Sequence, residues 1–344
     1  MLVPLRQKAP DEPGDASADR TLRSRRSRIL RALALSVAGA VLGTAGGGWL
    51  LISRLDANIR TDKATGRALD EFGTDRPGSG ASHAQNILII GSDREGGTGS
   101  ERSDTTMLMH LSGDRSRAVL MSIPRDLLVD IPACRTSNGA LSTAQYAQFN
   151  WAYEFGGTAC TIRTFEKLTG VRVDHHVVVE FSGFKKMVDQ IGGIDVDVEQ
   201  PIHDRRAKVD LEPGRQKLDG TRALAYVRAR EGVGDGSDTQ RMKRQQRFMK
   251  ALMTRLTDSG TLNRPDLAYP LLDVMTSSMT CDPGLESPGK LYGLLHGAKE
   301  ISGANTQFLT LPRQPAESDE ARDELVQPQA NDLFQQLRND KALS

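Results

Sequence analysis

Apolar positions along this chain follow three patterns. The first is an unbroken run without any charged residue, Ala32 to Ser53, reading ALALSVAGAVLGTAGGGWLLIS over 22 residues. At about 1.5 Å of rise per residue, a helix of that length spans a hydrocarbon core of about 30 Å. The second pattern is a series of short runs bounded by Gly, Ser, Asp or Arg. Ile87–Ile90, Thr105–Leu111, Ala118–Ile123, His176–Glu180 and Ile194–Val198 read as strands. Continuous runs of this kind predict strands covered on both faces. The third is helical periodicity, at 143–155, 160–169, 182–191 and 238–257, with a terminal helix at 329–339. Residues 222–230, RALAYVRAR, alternate and read as a further strand. Mixed strands and helices predict an α/β or α+β sandwich.

Charge around the long apolar run gives it a direction. Arg20, Arg23, Arg25, Arg26, Arg28 and Arg31 precede it with no acid among them, whereas Arg54, Asp56, Arg60, Asp62 and Lys63 mix both signs after it. The positive-inside rule then puts residues 1–31, a Pro-, Asp- and Arg-rich disordered tail, in the cytoplasm. Residues 32–53 become a single transmembrane helix with Trp49 near its outer end, and the rest of the chain lies outside the cytoplasm. A cleaved signal peptide would need a shorter run and a small-residue site after it, not Leu51-Ile52-Ser53-Arg54. Residues 54–85 read as a linker ending in PGSGASHA, 86–258 as the main domain, and 259–344 as an extension that packs on or completes it. A net charge of +1 and 5% aromatics argue against a nucleic-acid partner. An extracytoplasmic location makes a Cys134–Cys160 disulfide plausible, worth roughly 3 kcal/mol on the loop-entropy account. Cys281 is left over, and the six histidines form no ligand pattern. His175 and His176 are adjacent, so they lie on opposite faces of a strand and read as structural or solvated.

Four polar clusters sit at the ends of apolar runs. Asp93 follows the first strand, and Arg102-Ser103-Asp104 precede the second. Two carboxylates on neighbouring strand-end loops can share a hard cation such as magnesium, and each alone can equally cap a turn. Ser122-Ile123-Pro124-Arg125-Asp126 places a guanidinium at a sheet edge, as an oxyanion fork or as half of a surface ion pair with Asp126. In the alternating reading of 222–230, Arg228 and Arg230 point to the same side. On the helix that follows, Arg241, Arg244, Gln245, Phe248 and Leu252 share one face, cationic at its start and apolar at its end. Arginines converging near a helix N-terminus make an anion site, and the apolar continuation suits a lipid phosphate.

These segments resemble the LytR-CpsA-Psr family of cell-wall glycopolymer phosphotransferases, in its actinobacterial form. The matching stretches occur in the family's order: NILIIGSD (86–93), RSDTTMLM (102–109), SIPRD (122–126), FNWAYEFGG (149–157), FSGFKKMVDQIGGIDVDV (181–198), LDGTRALAYVRAR (218–230) and DTQRMKRQQ (238–246). The resemblance implies an α-β-α sandwich with a central mixed sheet and an apolar lipid-tail pocket, to which Phe248 and Leu252 would belong. It implies a membrane enzyme that takes a polyprenyl-pyrophosphate-linked glycopolymer and transfers the glycosyl phosphate to a peptidoglycan hydroxyl. By resemblance, Asp93 and Asp104 match metal-linked catalytic aspartates, with Mg2+ as cofactor, and either could be the base. Arg125, Arg228, Arg230, Arg241 and Gln245 match headgroup-binding positions, Arg125 and Arg228 being also catalytic, and Arg102 and Arg244 are added to them. Gln148 stands where the family often has Lys, so that charge is absent or supplied from elsewhere. Alternatives are a polyprenyl-pyrophosphate phosphohydrolase and a non-catalytic wall-binding or regulatory membrane protein.

Overall fold

The computed structural model describes residues 46–80, 83–92, 103–230, 238–258, 260, 264–301 and 305–343. The chain divides into two compact units, Met1–Ser53 and Arg54–Ser344. In the first unit residues 46–53 are helical, with Trp49, Leu50, Leu51 and Ile52 exposed. Residues 32–45 of the expected membrane span, like the tail before them, lie outside the described residues. Among the described residues, no helix is long and apolar enough to cross a membrane.

The second unit is built on a seven-stranded mixed sheet. Its strands are β1 (Arg60–Thr61), β2 (Gln85–Ser92), β3 (Ser103–Leu111), β4 (Ala118–Ile123), β5 (His175–Glu180), β6 (Met279–Cys281) and β7 (Thr306–Thr310), in the spatial order β1-β6-β5-β2-β3-β4-β7. β2 runs antiparallel to β3 and parallel to β5, and β7 runs parallel to β4. Its helices are α1 (Lys63–Glu71), α2 (Trp151–Thr169), α3 (Phe181–Gln190), α4 (Gly220–Arg228), α5 (Asp238–Asp258), α6 (Pro265–Ser278), α7 (Pro288–Glu300) and α8 (Gln329–Arg338).

Side chains alternate along the central strands, and both faces are covered. Leu88, Ile90, Leu108, Val119 and Met121 pack into one core with Phe149, Phe165 from α2 and Phe334 from α8. Ile87, Leu111, Ala118 and Val177 pack into another with Cys281, Leu285, Leu291 from α7 and Ile301. A third cluster joins α3, α4, α5 and α6 to the hairpin strands Ile194–Val198 and Gly214–Leu218, through Val188, Ile194, Tyr226, Phe248 and Leu271. The expected runs at 118–123 and 194–198 are strands over those same residues.

Three expectations are corrected. Residues 54–85 are not simply a linker: β1 joins the sheet beside β6, and α1 buries Leu69 in the first core. The Asp62 side chain starts α1 by accepting from Thr65 N at 2.9 Å, and Arg76 forks onto Glu166 at 2.7 and 2.8 Å. Helix does not begin at 143. Gln145–Gln148 form a strand against Leu128–Ile131, and α2 starts at Trp151. Third, 222–230 is not a strand. α4 runs to Arg228 because Asp219 caps it, accepting from Arg222 N at 2.8 Å, and because Ala223 and Tyr226 lie one turn apart in the third cluster.

The expected disulfide is present, with Cys134 and Cys160 Cα atoms 5.5 Å apart and both residues buried. It sits against the kink in α2. A Cβ at Gly156 would come within 2.7 Å of the Arg135 carbonyl and 2.9 Å of the Cys160 Cβ, and Gly157 adopts φ of 59°. The Phe-Gly-Gly stretch is thus where the helix bends around the bridge.

Candidate functional site: an arginine-lined cavity

At the end of β3 where Thr105 lies, a cavity of about 240 Å3 opens between the sheet and α4 and α5. Arg125, Arg206, Arg228, Arg230 and Arg241 line it, with Thr105, Asp204, Ala207, Val227 and Gln245 completing the wall. Among the described residues, five guanidiniums meet one acid there, which makes the cavity strongly anion-seeking.

Each arginine arrives on a different local device. Arg125 follows Pro124 at the end of β4 and stands 3.4 Å from Asp126 through Nε. Arg228 closes the last turn of α4, where a cation suits the helix dipole, with its guanidinium carbon 4.5 Å above the Phe181 ring. Arg230 follows one extended residue later, its backbone N–H donating to Asp204 Oδ2 at 2.6 Å. Arg241 lies in the first turn of α5 and is 5% exposed, so its charge is held away from bulk water. Gln245, one turn on, donates to Thr105 Oγ1 at 3.1 Å and to the Val227 carbonyl at 3.2 Å, tying α5 to β3 and α4.

Arg206 and Asp204 belong to a hairpin of strands Ile202–Asp204 and Val209–Leu211 that the sequence reading passed over. Asp204 is 3% exposed. Its Oδ1 accepts from Arg206 N and Ala207 N at 2.9 Å each, while Oδ2 takes Arg230 N. Both oxygens are therefore committed to fixing backbone that carries two of the cavity's arginines. The local signal was the string HDRR between two short apolar pairs, too brief to separate from a solvated turn.

Two expected roles change. Arg244 does not line the cavity. It is 4% exposed and donates to the carbonyl of Ala229, the residue between Arg228 and Arg230. Phe248 and Leu252 do not form an open pocket. Phe248 is 1% exposed in the third cluster, 5.3 Å from the Phe184 ring, and Leu252 packs against the same cluster. The apolar end of the α5 face is consumed by packing against α3, α4 and α6.

Asp93 and Arg102 lie outside the described residues, as does the side chain of Asp104. Their chain positions are nevertheless informative. Ser92 and Ser103 are register partners, so 93 and 104 adjoin one pair of strand ends, and Thr105 beside them lines the cavity. The Ser92 and Ser103 hydroxyls are 0% and 1% exposed and have no hydrogen-bond partner among the described residues. Gln148 is buried, with its side-chain amide facing Arg322. His175 pairs with Asp282 at 3.1 Å, and His176 is buried on β5.

The sequence profile of the LytR_cpsA_psr family matches residues 55–341. The chain belongs to that family. Among proteins similar to this LytR_cpsA_psr member is the probable cell wall biosynthesis protein LcpB of Corynebacterium glutamicum, 33% identical over 214 residues, which are 58% of this chain and 48% of LcpB. The cell wall biosynthesis protein LcpA of the same species is 28% identical over 320 residues, 83% of this chain and 60% of LcpA. The chain thus spans between about half and under two thirds of the length of these curated relatives. The solved LytR-Csp2A-Psr enzyme from Actinomyces oris superposes with a TM-score of 0.63 at 23% identity, over 76% of this chain and 93% of that one, and so shares its fold.

Proposed function

We propose that this chain transfers a glycosyl phosphate from a polyprenyl-pyrophosphate-linked glycopolymer to a peptidoglycan hydroxyl at the outer face of the cell membrane. The observation that carries the reading is the set of five arginines around one cavity that has a single described acid, Asp204, whose two oxygens accept from three backbone N–H groups. Phosphoryl transfer asks a protein mainly for charge neutralisation and in-line positioning. Arg228 and Arg230, held apart by the Ala229 carbonyl on Arg244, suit two anionic oxygens of a diphosphate. Arg241 is the most buried of the five and suits the oxygen that gains charge as the leaving phosphate departs. Asp204 does not suit the base, because withdrawing an oxygen from its N–H donors would release Arg230 or Arg206.

Asp93 and Asp104, whose chain positions adjoin paired strand ends beside two buried serine hydroxyls, would hold a magnesium ion. Bound there, it would neutralise diphosphate charge that the arginines leave. The chain would be anchored by residues 32–53 with its N-terminus in the cytoplasm. The Cys134–Cys160 bridge supports an oxidising location for the second unit. Because Phe248 and Leu252 are packed, the polyprenyl tail is proposed to remain in membrane lipid.

The test is product analysis with the full chain, a lipid-linked polymer, magnesium and peptidoglycan. The expected products are polymer joined to peptidoglycan through a phosphodiester and free polyprenyl phosphate. Release of polymer phosphate to water with no attachment would instead make the chain a phosphohydrolase. A reporter fused after residue 60 should report an extracytoplasmic location, and a cytoplasmic signal would reject the topology.

A further inference from the structure

The C-terminal hairpin, Arg313–Ala316 paired with Asp319–Leu325, reaches two elements of the arginine cavity. Asp323 N donates to the Asp126 carbonyl at 3.2 Å, beside Arg125. Arg313 donates to Thr239 Oγ1 at 2.7 Å in the first turn of α5 and also pairs with Asp323. The hairpin therefore joins the SIPRD turn to the helix end that carries Arg241.

Between them lies Arg322. Its guanidinium lies face-on against the side-chain amide of Gln148; with the amide turned so that its oxygen faces the arginine, that oxygen is 2.6 Å from Nε, 2.7 Å from Nη2 and 3.1 Å from Nη1. Nη1 is 3.9 Å from Asp126 Oδ1, and Nε is 3.7 Å from Asp319. The other oxygen of Asp126, Oδ2, is 3.4 Å from Arg125 Nε. Asp126 is 7% exposed while the Arg125 and Arg322 side chains are 22% and 33% exposed, so the carboxylate is held away from water and its attraction to the two guanidiniums is partly screened. One carboxylate thus sits between two guanidiniums, and only Arg125 faces the cavity.

We propose that Arg322 is a positioning residue for the diphosphate site: by sharing Asp126 it keeps that carboxylate from neutralising Arg125, whose charge is then offered to the ligand. Gln148 packs against the guanidinium as a buried neutral amide, so it brings no charge to compete for it. Without Arg322, Asp126 pairs with Arg125 alone, draws it toward the turn and lowers the cationic potential of the cavity. This inference rests on the diphosphate-binding reading above and adds the residue that regulates one of its arginines.

A double-mutant cycle tests it, using the full-length chain in detergent with geranyl pyrophosphate as the calorimetric probe. Wild type should bind. R322A should weaken binding about tenfold, or about 1.4 kcal/mol, with an unchanged thermal midpoint. R322K, which keeps the charge, should recover most of the loss. In a D126N background R322A should have little further effect, because no carboxylate remains to be shared. Unchanged binding by R322A overturns the proposal. So does an equal loss in the D126N background, which would mean that Arg322 acts independently of Asp126, or a loss matched by a fall in folded fraction. A wild-type chain that does not bind the probe would instead fail the diphosphate reading itself, and this inference with it.

Discussion

At the residue scale, the cavity depends on acids that hold its backbone in place. Asp204 shows this most directly. Three backbone N–H groups converge on its buried carboxylate, and two of them belong to Arg206 and Arg230. Asp204→Asn keeps one acceptor and turns an amide NH2 toward a donor, leaving a backbone N–H unsatisfied. The variant should lose about 2 kcal/mol of unfolding free energy and bind a diphosphate more weakly, measured by urea titration and calorimetry. Full stability with full binding would show that the hairpin is held by other contacts. Asp62 offers a test through pH. Burial alone would raise its pKa, but the His176 ring 3.8 Å away and the hydrogen bonds from Thr65 N and Oγ1 outweigh that and lower it from 3.8 to about 2. A carboxyl more acidic when folded contributes stability that is complete above pH 3.8 and is lost as pH falls through about 2. Allowing for solvent screening, the contribution is about 1 kcal/mol. Unfolding midpoints at pH 5 and pH 2.5 should therefore differ less in Asp62→Asn than in wild type.

At the element scale, the position of α4 decides where Arg228 stands. Its first residue, Gly220, lies against α3 so closely that a Cβ would meet the Lys185 carbonyl oxygen at 2.1 Å. Gly220 N also donates to Asp189 Oδ1 at 2.7 Å. Gly220→Ala must therefore push the two helices apart. A cost of about 2 kcal/mol is expected for such overpacking, together with weaker diphosphate binding as Arg228 moves, read from thermal melting and calorimetry on the same sample. This element also marks what one sequence can reveal. RALAYVRAR alternates, and alternation predicted a strand. The helix was decided by the Asp219 cap and by Ala223 and Tyr226 packing into the third cluster, the second a tertiary term the local pattern does not contain. β4 was legible to the residue because its run is continuous and ends at Pro124. Arg125, Arg228, Arg230, Arg241 and Gln245 were legible through the family resemblance as headgroup positions, and the cavity brings them together. Asp204, Arg206 and Arg322 were not, because each acquires its role from partners far away in sequence.

At the scale of the molecule, the central sheet is assembled from both ends of the second unit. β1 comes from residues that read as linker, and β6 and β7 from residues that read as an extension after 258. β7 pairs with β4 over five positions from Thr306↔Ala118 to Thr310↔Ser122, and β6 lies between β5 and β1. The last described segment is fastened as well. Asp340 accepts from Gly113 N at 2.8 Å and meets buried His110 at 3.2 Å, and Phe334 and Leu337 fill the first core. A chain of residues 86–258 alone would lack three of the seven strands, leave the outer edges of β4 and β5 unpaired, and expose Val177, Ala118 and Phe165 to water. Unpaired edges beside apolar faces favour association over folding. Residues 86–258 expressed alone should therefore aggregate or show no cooperative thermal transition by circular dichroism, whereas 54–344 should melt in one cooperative step. A soluble 86–258 fragment with a sharp transition would mean that the late strands decorate a core already complete. In that case the hairpin bearing Arg322 could be removed without loss of the sheet, and its influence on Arg125 could be read in isolation.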